Sequence, residues 1–222
     1  MTTPAHELIR SKRKTLALMI KPDGSLLVRA PLRTSKSVIE EFLEKNRGWI
    51  EKHRAKAIAT LPPPPKQYVN GETFLYLGTA YPLEIREGQK EPLRLNKRFE
   101  LAASHRSEAA RVFERWYREQ ARQLLSARVE FFARQHKFHY QGIRITAART
   151  RWGSCSVTGA LSFSWRLILT PSAVVDYVVV HELVHTLVHN HSQQFWHRVR
   201  TILPEYQEHR RWLREHGRQV LA

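Results

Sequence analysis

With 222 residues, 42% of them hydrophobic and 10% aromatic, the chain can bury a substantial core, which argues against an intrinsically disordered polypeptide. Cys155 is the single cysteine, so intrachain disulfides and Cys-rich zinc modules are excluded. The net charge of +17 favours acidic partners, nucleic acid among them, and the apolar run Leu16 to Ile20 is too short for a membrane span or a signal segment, so a cytoplasmic protein with no membrane partner is expected.

Near the start, His6-Glu7-Leu8-Ile9-Arg10 begins like a metal motif but lacks a second histidine, and reads as a surface segment. Lys14 to Lys21 and Ser25 to Ala30 read as two strands joined by the turn Pro22-Asp23-Gly24. Ser35 is placed to cap a helix reaching to about Ala59, with Val38, Ile39, Phe42, Leu43, Trp49 and Ile50 on its apolar side. Leu61 and the four prolines Pro62 to Pro65 end it as a stiff spacer. Short strands follow at Thr73 to Leu77 and Tyr81 to Arg86, separated by Gly78, and Arg94 to Leu101 adds another.

A long helix is predicted from about Ser107 to His136, with Val112, Phe113, Trp116, Leu124, Val129 and Phe132 at helical spacing. Segments 143–148 and 160–169 are strand-like and bracket Arg151-Trp152-Gly153-Ser154-Cys155-Ser156. That bracketed stretch has two readings: an edge strand beside the site that pairs with an extended peptide, or a tight turn needing Gly153 with Trp152 in the core. Thr170 as N-cap and Pro171 at the first helical position then start a helix whose Val174, Val175, Val178, Val179, Val180 and Leu183 are apolar almost all round, so it should be buried. Together these elements predict an α+β protein: a strand–helix region over 1–65, a β-rich segment over 66–105, and a catalytic domain over 106–222 containing a small antiparallel sheet.

The buried helix carries His181-Glu182-Leu183-Val184-His185, an H-E-x-x-H pattern. Residues four apart share a helix face, about 6 Å apart along the axis, so two imidazoles can converge on one zinc ion. Burying His, Glu and His together with no metal or partner would be costly. Glu182, one step on, is rotated toward the mouth of the site and can accept a proton there.

For a third ligand, His189 stands roughly 12 Å from His181 along a straight helix and is a poor candidate. His191 is preferred, with Asn190 in a left-handed conformation ending the helix and Ser192 capping the next one, Gln193 to about Ile202. Glu205 and Glu208, at the spacing of a ligand from a second helix, remain the competing source. Three neutral histidines leave one coordination position open, as in a catalytic rather than a structural zinc site, and this predicts metal-assisted amide hydrolysis of a peptide or protein substrate. Phe195 and Trp196 read as core residues locking the turn that carries His191, Cys155 as a buried structural thiol in preference to a resting-state ligand, and His197, Tyr177 and Tyr206 as candidate oxyanion donors.

HELVH, followed by Asn190-His191-Ser192-x-x-Phe195-Trp196 and preceded by Arg151 to Ser156, Ser164-Trp165-Arg166-Leu167 and Asp176-Tyr177-Val178-Val179-Val180, closely resembles the YgjP-like metallopeptidases, and more distantly the SprT-like and WLM proteases. The resemblance extends to Val28-Arg29-Ala30-Pro31 and Trp49-Ile50, where it is looser. It implies a zincin-like catalytic domain with a zinc site on His181, His185 and His191 and Glu182 as general base. The histidine spacing also resembles the metzincin pattern, but Val188 stands where that group has glycine.

Basic residues outnumber acidic ones 14 to 6 over 1–70, 15 to 9 over 71–150 and 8 to 5 over 151–222, so the basic surface sits mainly outside the HELVH region. This motivates two further readings: a protease recruited to nucleic acid to remove bound proteins, or a non-enzymatic nucleic-acid-binding protein with structural zinc. Glu182 argues against the latter, since a structural site needs no base. Zinc deaminase chemistry is excluded because its paired cysteines are absent.

Overall fold

A computed structural model describes residues 5–21, 23–59 and 64–221. The chain divides into two compact units, Met1–Pro63 and Pro64–Ala222. In the first, strands β1 (His6–Ser11), β2 (Ala17–Ile20) and β3 (Leu26–Pro31) form a sheet in the order β1-β3-β2. The expected hairpin is β2 against β3, antiparallel. Asp23 Oδ1 accepts from Ser25 N at 2.9 Å in its turn, and Gly24 sits at φ +82°, a conformation that glycine adopts without steric cost. Pro22 lies outside the described residues, as do Leu61, Pro62 and Pro63 of the expected spacer.

The segment expected at the surface is exposed there, and it is also a strand, β1, paired in parallel with β3. Its side chains are mostly exposed, so no apolar alternation announced it. Ser35 does cap α1 (Lys36–Lys45), its Oγ accepting from Val38 N at 3.4 Å. The helix does not run unbroken to Ala59, however; it stops at Asn46 and resumes as α2 (Arg47–Ala59). The Asn46 side-chain amide donates to Phe42 O at 2.7 Å, a local bond that competes with the helical ladder. Leu26, Val28, Ala30, Ile39, Leu43 and Ile50 form the core of this unit.

The second unit opens with β4 (Thr73–Tyr76), β5 (Thr79–Arg86), β6 (Leu93–Leu95) and β7 (Phe99–Ala102), ordered β4-β5-β7-β6, with only β5 and β7 parallel. Where one strand was expected over 94–101 there are two, folded on each other by a turn in which Asn96 N donates to Arg98 O at 3.1 Å. A 3₁₀ turn (Ala103–Glu108) leads into α3 (Ala109–His136), which lays Phe113 against Phe74, ring centroids 4.2 Å apart, and donates the Tyr117 hydroxyl to Leu75 O at 2.7 Å. Burial pushes the Tyr117 phenol well above its ordinary pKa, so it stays a neutral donor.

Strands β8 (Gly142–Thr146), β9 (Gly153–Cys155) and β10 (Ala160–Ser164) form a third sheet, ordered β8-β10-β9. The small sheet expected to be antiparallel is therefore mixed: β10 inserts between the other two, parallel to β8 and antiparallel to β9. The apolar run beyond Ser164 leaves the sheet as a buried 3₁₀ turn, Trp165–Leu169, since an apolar run buried all round fits strand or helix equally.

Helix α4 (Ser172–His185) follows, then α5 (Gln193–Ile202) and α6 (Tyr206–Leu221). Thr170 is not the cap of α4; its hydroxyl donates to Leu167 O at 2.8 Å, closing the 3₁₀ turn, and Pro171 takes the N-cap position. The β4–β5 turn pins this start, with Leu77 N donating to Ile168 O at 2.7 Å. Gly78 there has φ +78°, and a Cβ on it would lie 2.9 Å from Pro171 Cγ.

Apolar on every side, α4 packs against α3, α5, α6 and β9, which places HELVH at the centre of the unit. Arg128 of α3 clamps Asp176 of α4 bidentately at 2.6 and 2.8 Å, its guanidinium 4.7 Å from the Phe131 ring and 5.0 Å from that of Phe132. Asp176→Ala would leave that part-buried cation unpaired; thermal unfolding is expected to show a loss of about 1–3 kcal/mol. Among the described residues no helix is long and apolar enough to cross a membrane.

Candidate metal centre

His181 and His185 project from the last turn of α4, one turn apart, as their spacing requires. The helix then tightens: Thr186 N donates to Leu183 O at 3.0 Å, the Thr186 hydroxyl donates to the same oxygen at 2.7 Å, and Leu187 N and Val188 N both donate to Val184 O at 3.0 Å. The ending therefore occurs at Thr186 and not at Asn190, which has no left-handed backbone. Asn190 contributes differently, its Oδ1 accepting from Ser192 N at 3.1 Å in a small turn that swings His191 back over the helix end. Ser192 is the N-cap of α5 by position, without a side-chain capping bond.

The three imidazoles form a nearly equilateral triangle, with ring centroids 4.9 Å (His181–His185), 5.0 Å (His181–His191) and 4.8 Å (His185–His191) apart. One nitrogen from each lies within 4.8 Å of the other two, and His181 Nε2 and His191 Nε2 are 3.1 Å apart. In a tetrahedral zinc site, ligand nitrogens about 2.0–2.1 Å from the ion are about 3.3 Å from one another. His185 donates Nδ1–H to Val188 O at 3.0 Å, which fixes the tautomer that leaves Nε2 with a free lone pair. Burial holds His181 down to about 3, with the neighbouring His185 and His191 acting in the same direction, and burial also lowers His185, so both imidazoles are neutral and able to ligate. His181 Nδ1 is buried without a hydrogen-bond partner among the described residues. Nitrogen donors of this kind, at this spacing and in this protonation state, fit a zinc ion.

Phe195, fully buried on α5, floors the triangle: its ring centroid lies 4.9, 4.5 and 4.8 Å from those of His181, His185 and His191. Trp196 stacks on His191 at 5.5 Å, Tyr206 stacks on Trp196 at 5.4 Å, and the Arg210 guanidinium lies 4.7 Å from the Trp196 ring. Packing thus holds the one histidine of the triangle that does not lie on α4. Phe195 and Trp196 were expected as core residues locking the turn that carries His191, and they do pack on it; the contact of Phe195 with all three imidazoles was not expected.

Glu182 is only 6% exposed, and burial raises it to about 8 against the opposing charge of Arg151. Its carboxylate lies directly on the backbone of β9. A Cβ on Gly153 would come within 2.7 Å of both Glu182 Cγ and Oε1. Trp152 packs against the core as the turn reading expected, while Gly153 is accordingly a strand glycine allowing close approach and not part of a tight turn. No local pattern could have revealed this, because the contact joins residues 29 positions apart.

The remaining candidates fall elsewhere. His189, His197, Glu205 and Glu208 are exposed and outside the histidine cluster. Cys155 is half-buried, its thiol donating to Ser156 O at 3.3 Å and pushed up by burial and by the charge of Glu182; it is not part of the cluster. The Tyr177 ring stands 5.9 Å from His181, and burial raises its phenol to about 12.

A family model described as YgjP-like, metallopeptidase domain, matches residues 14–216. Comparison with curated proteins and with solved structures gives no match.

Proposed function

The chain belongs to the YgjP-like metallopeptidase family, and from that membership and the converging imidazoles we propose a zinc-dependent peptidase of zincin type, its ion held by His181, His185 and His191 and its general base Glu182. The observation that carries the reading is a triangle of converging imidazoles next to a buried carboxyl group. Zinc held there would supply Lewis acidity, acidifying a water molecule and polarising the scissile carbonyl.

The protein's own groups do the rest. Glu182, whose basicity burial raises, takes the proton from the attacking water in its ionised form and passes it to the leaving amine. The strand beside it supports the choice of a peptide. Trp152 O accepts from Ser164 N at 2.8 Å and Ser156 N donates to Ala160 O at 2.9 Å, so by antiparallel alternation Gly153 and Cys155 turn their N–H and C=O groups away from β10. That free edge, in contact with Glu182, suits an extended peptide adding a strand.

Metal content tests the ligand set. Elemental analysis is expected to find one zinc per chain in the native protein and in Glu205→Ala, and its loss in His191→Ala. A His191→Ala protein that keeps its zinc would remove His191 from the site.

A further inference from the structure

Cross-strand register sorts the third sheet into two faces. Gly153, Phe163 and Ile145 form one row and Cys155, Leu161 and Ile143 another, on the side where Gly153 meets Glu182 and where Leu161 and Phe163 are buried. Ser154, Ser162 and Arg144 form the alternate row, on the opposite face. That face holds a cleft of about 150 Å³, lined by Arg144, Thr146, Arg151, Trp152, Ser154 and Ser162 among others.

The lining offers donors to an anion. The Thr146 hydroxyl is committed to Phe163 O at 3.2 Å and that of Ser164 to Ala148 O at 2.7 Å. Among the described residues, neither Arg144 nor Arg151 forms a salt bridge, although the charge of Arg151 reaches Glu182; the Ser154 and Ser162 hydroxyls have no protein partner, and no acidic residue lines the cleft. A guanidinium in a groove with free hydroxyls recognises a carboxylate through charge-assisted hydrogen bonds.

We propose that this cleft is a specificity subsite for an acidic side chain of the peptide substrate, with Arg144 and Arg151 as the recognising residues. The proposal rests on the edge-strand peptidase reading. A peptide added along β9 alternates its side chains as the sheet does, so the residues flanking the one opposite Ser154 turn toward Glu182 while that one turns toward the arginines. An acidic residue is therefore favoured opposite Ser154 and not at the two flanking positions, so a peptide with Glu at alternate positions can offer one to the cleft without another beside Glu182.

The test is binding to zinc-loaded Glu182→Gln protein, followed by fluorescence anisotropy. Three labelled peptides of equal length are compared: one with Glu at alternate positions, one with the same number of Glu in adjacent pairs, and one with Gln in place of every Glu. The alternating peptide is expected to bind about tenfold more tightly than the Gln peptide, with the paired one between them. Arg144→Gln and Arg151→Gln should each shrink that ratio, whereas Arg134→Gln, which removes an arginine from the exposed face of α3, should leave it as in the parent.

Equal binding of the Glu and Gln peptides, or a preference that survives both arginine substitutions, overturns the subsite while leaving the peptidase reading in place. If none of the peptides binds, the edge-strand reading falls and takes the subsite with it. A single-stranded oligonucleotide that binds more tightly than the peptides, and loses that binding in Arg144→Gln and Arg151→Gln, would make the cleft a nucleic-acid site instead.

Discussion

Glu182→Gln is expected to lower peptide hydrolysis by about 1,000-fold or more while the purified protein keeps one zinc per chain. Gln has the shape of Glu and fits the same buried space, 6% exposed and pressed against β9, so the fold around it has no reason to change. It lacks the anionic oxygen that accepts the proton. The three histidines do not depend on that oxygen, and His185 keeps its bond to Val188 O. Activity and metal content are thereby separated: a variant that retains both zinc and full turnover places the base elsewhere, and one that loses zinc gives Glu182 a part in holding the ion.

Gly153→Ala should also be damaging, at about 100-fold in turnover, without replacing any group proposed to react or ligate. The new methyl would lie 2.7 Å from Glu182 Cγ and Oε1, well inside contact distance, so the carboxylate or the strand must move. Either displacement spoils the alignment of base and bound peptide. Gly48→Ala is the matched control: nothing lies within 4 Å of a Cβ there, and the substitution falls in helix α2, where alanine is favoured over glycine. Steady-state kinetics and metal content on both proteins decide the matter. Native turnover in Gly153→Ala would show that Glu182 does not have to stay where it is.

Local patterns announced those parts of the molecule that depend on neighbours in sequence. The all-apolar run with HELVH at its end reads directly as a buried helix, and Ser35 caps α1 as its position suggests. What escaped was set by contacts at long range or by side chains competing for backbone groups. β1 pairs through its backbone with side chains in water, Asn46 interrupts an apolar face that continues past it, and β10 slips between β8 and β9.

The centre divides in the same way. His181 and His185 share a face by helical geometry alone. The proximity of His191 needs the tight ending at Thr186 and the turn at Asn190, neither of which its spacing specifies. The approach of Gly153 to Glu182 and the seat of Phe195 beneath all three rings depend on the assembled unit, so single-sequence reasoning reached the residues but not their contacts.

That seat makes the three histidines a mechanical set. One phenyl ring, held by α5, braces imidazoles from two different segments, so the triangle in this arrangement depends on the placement of α5. If zinc is held there, its uptake and the ordering of α5 would be thermodynamically linked, each strengthening the other by the same amount. Chelation would be felt first as a loosening of α5, and a substitution at Phe195 would weaken all three bonds to the ion together rather than one at a time.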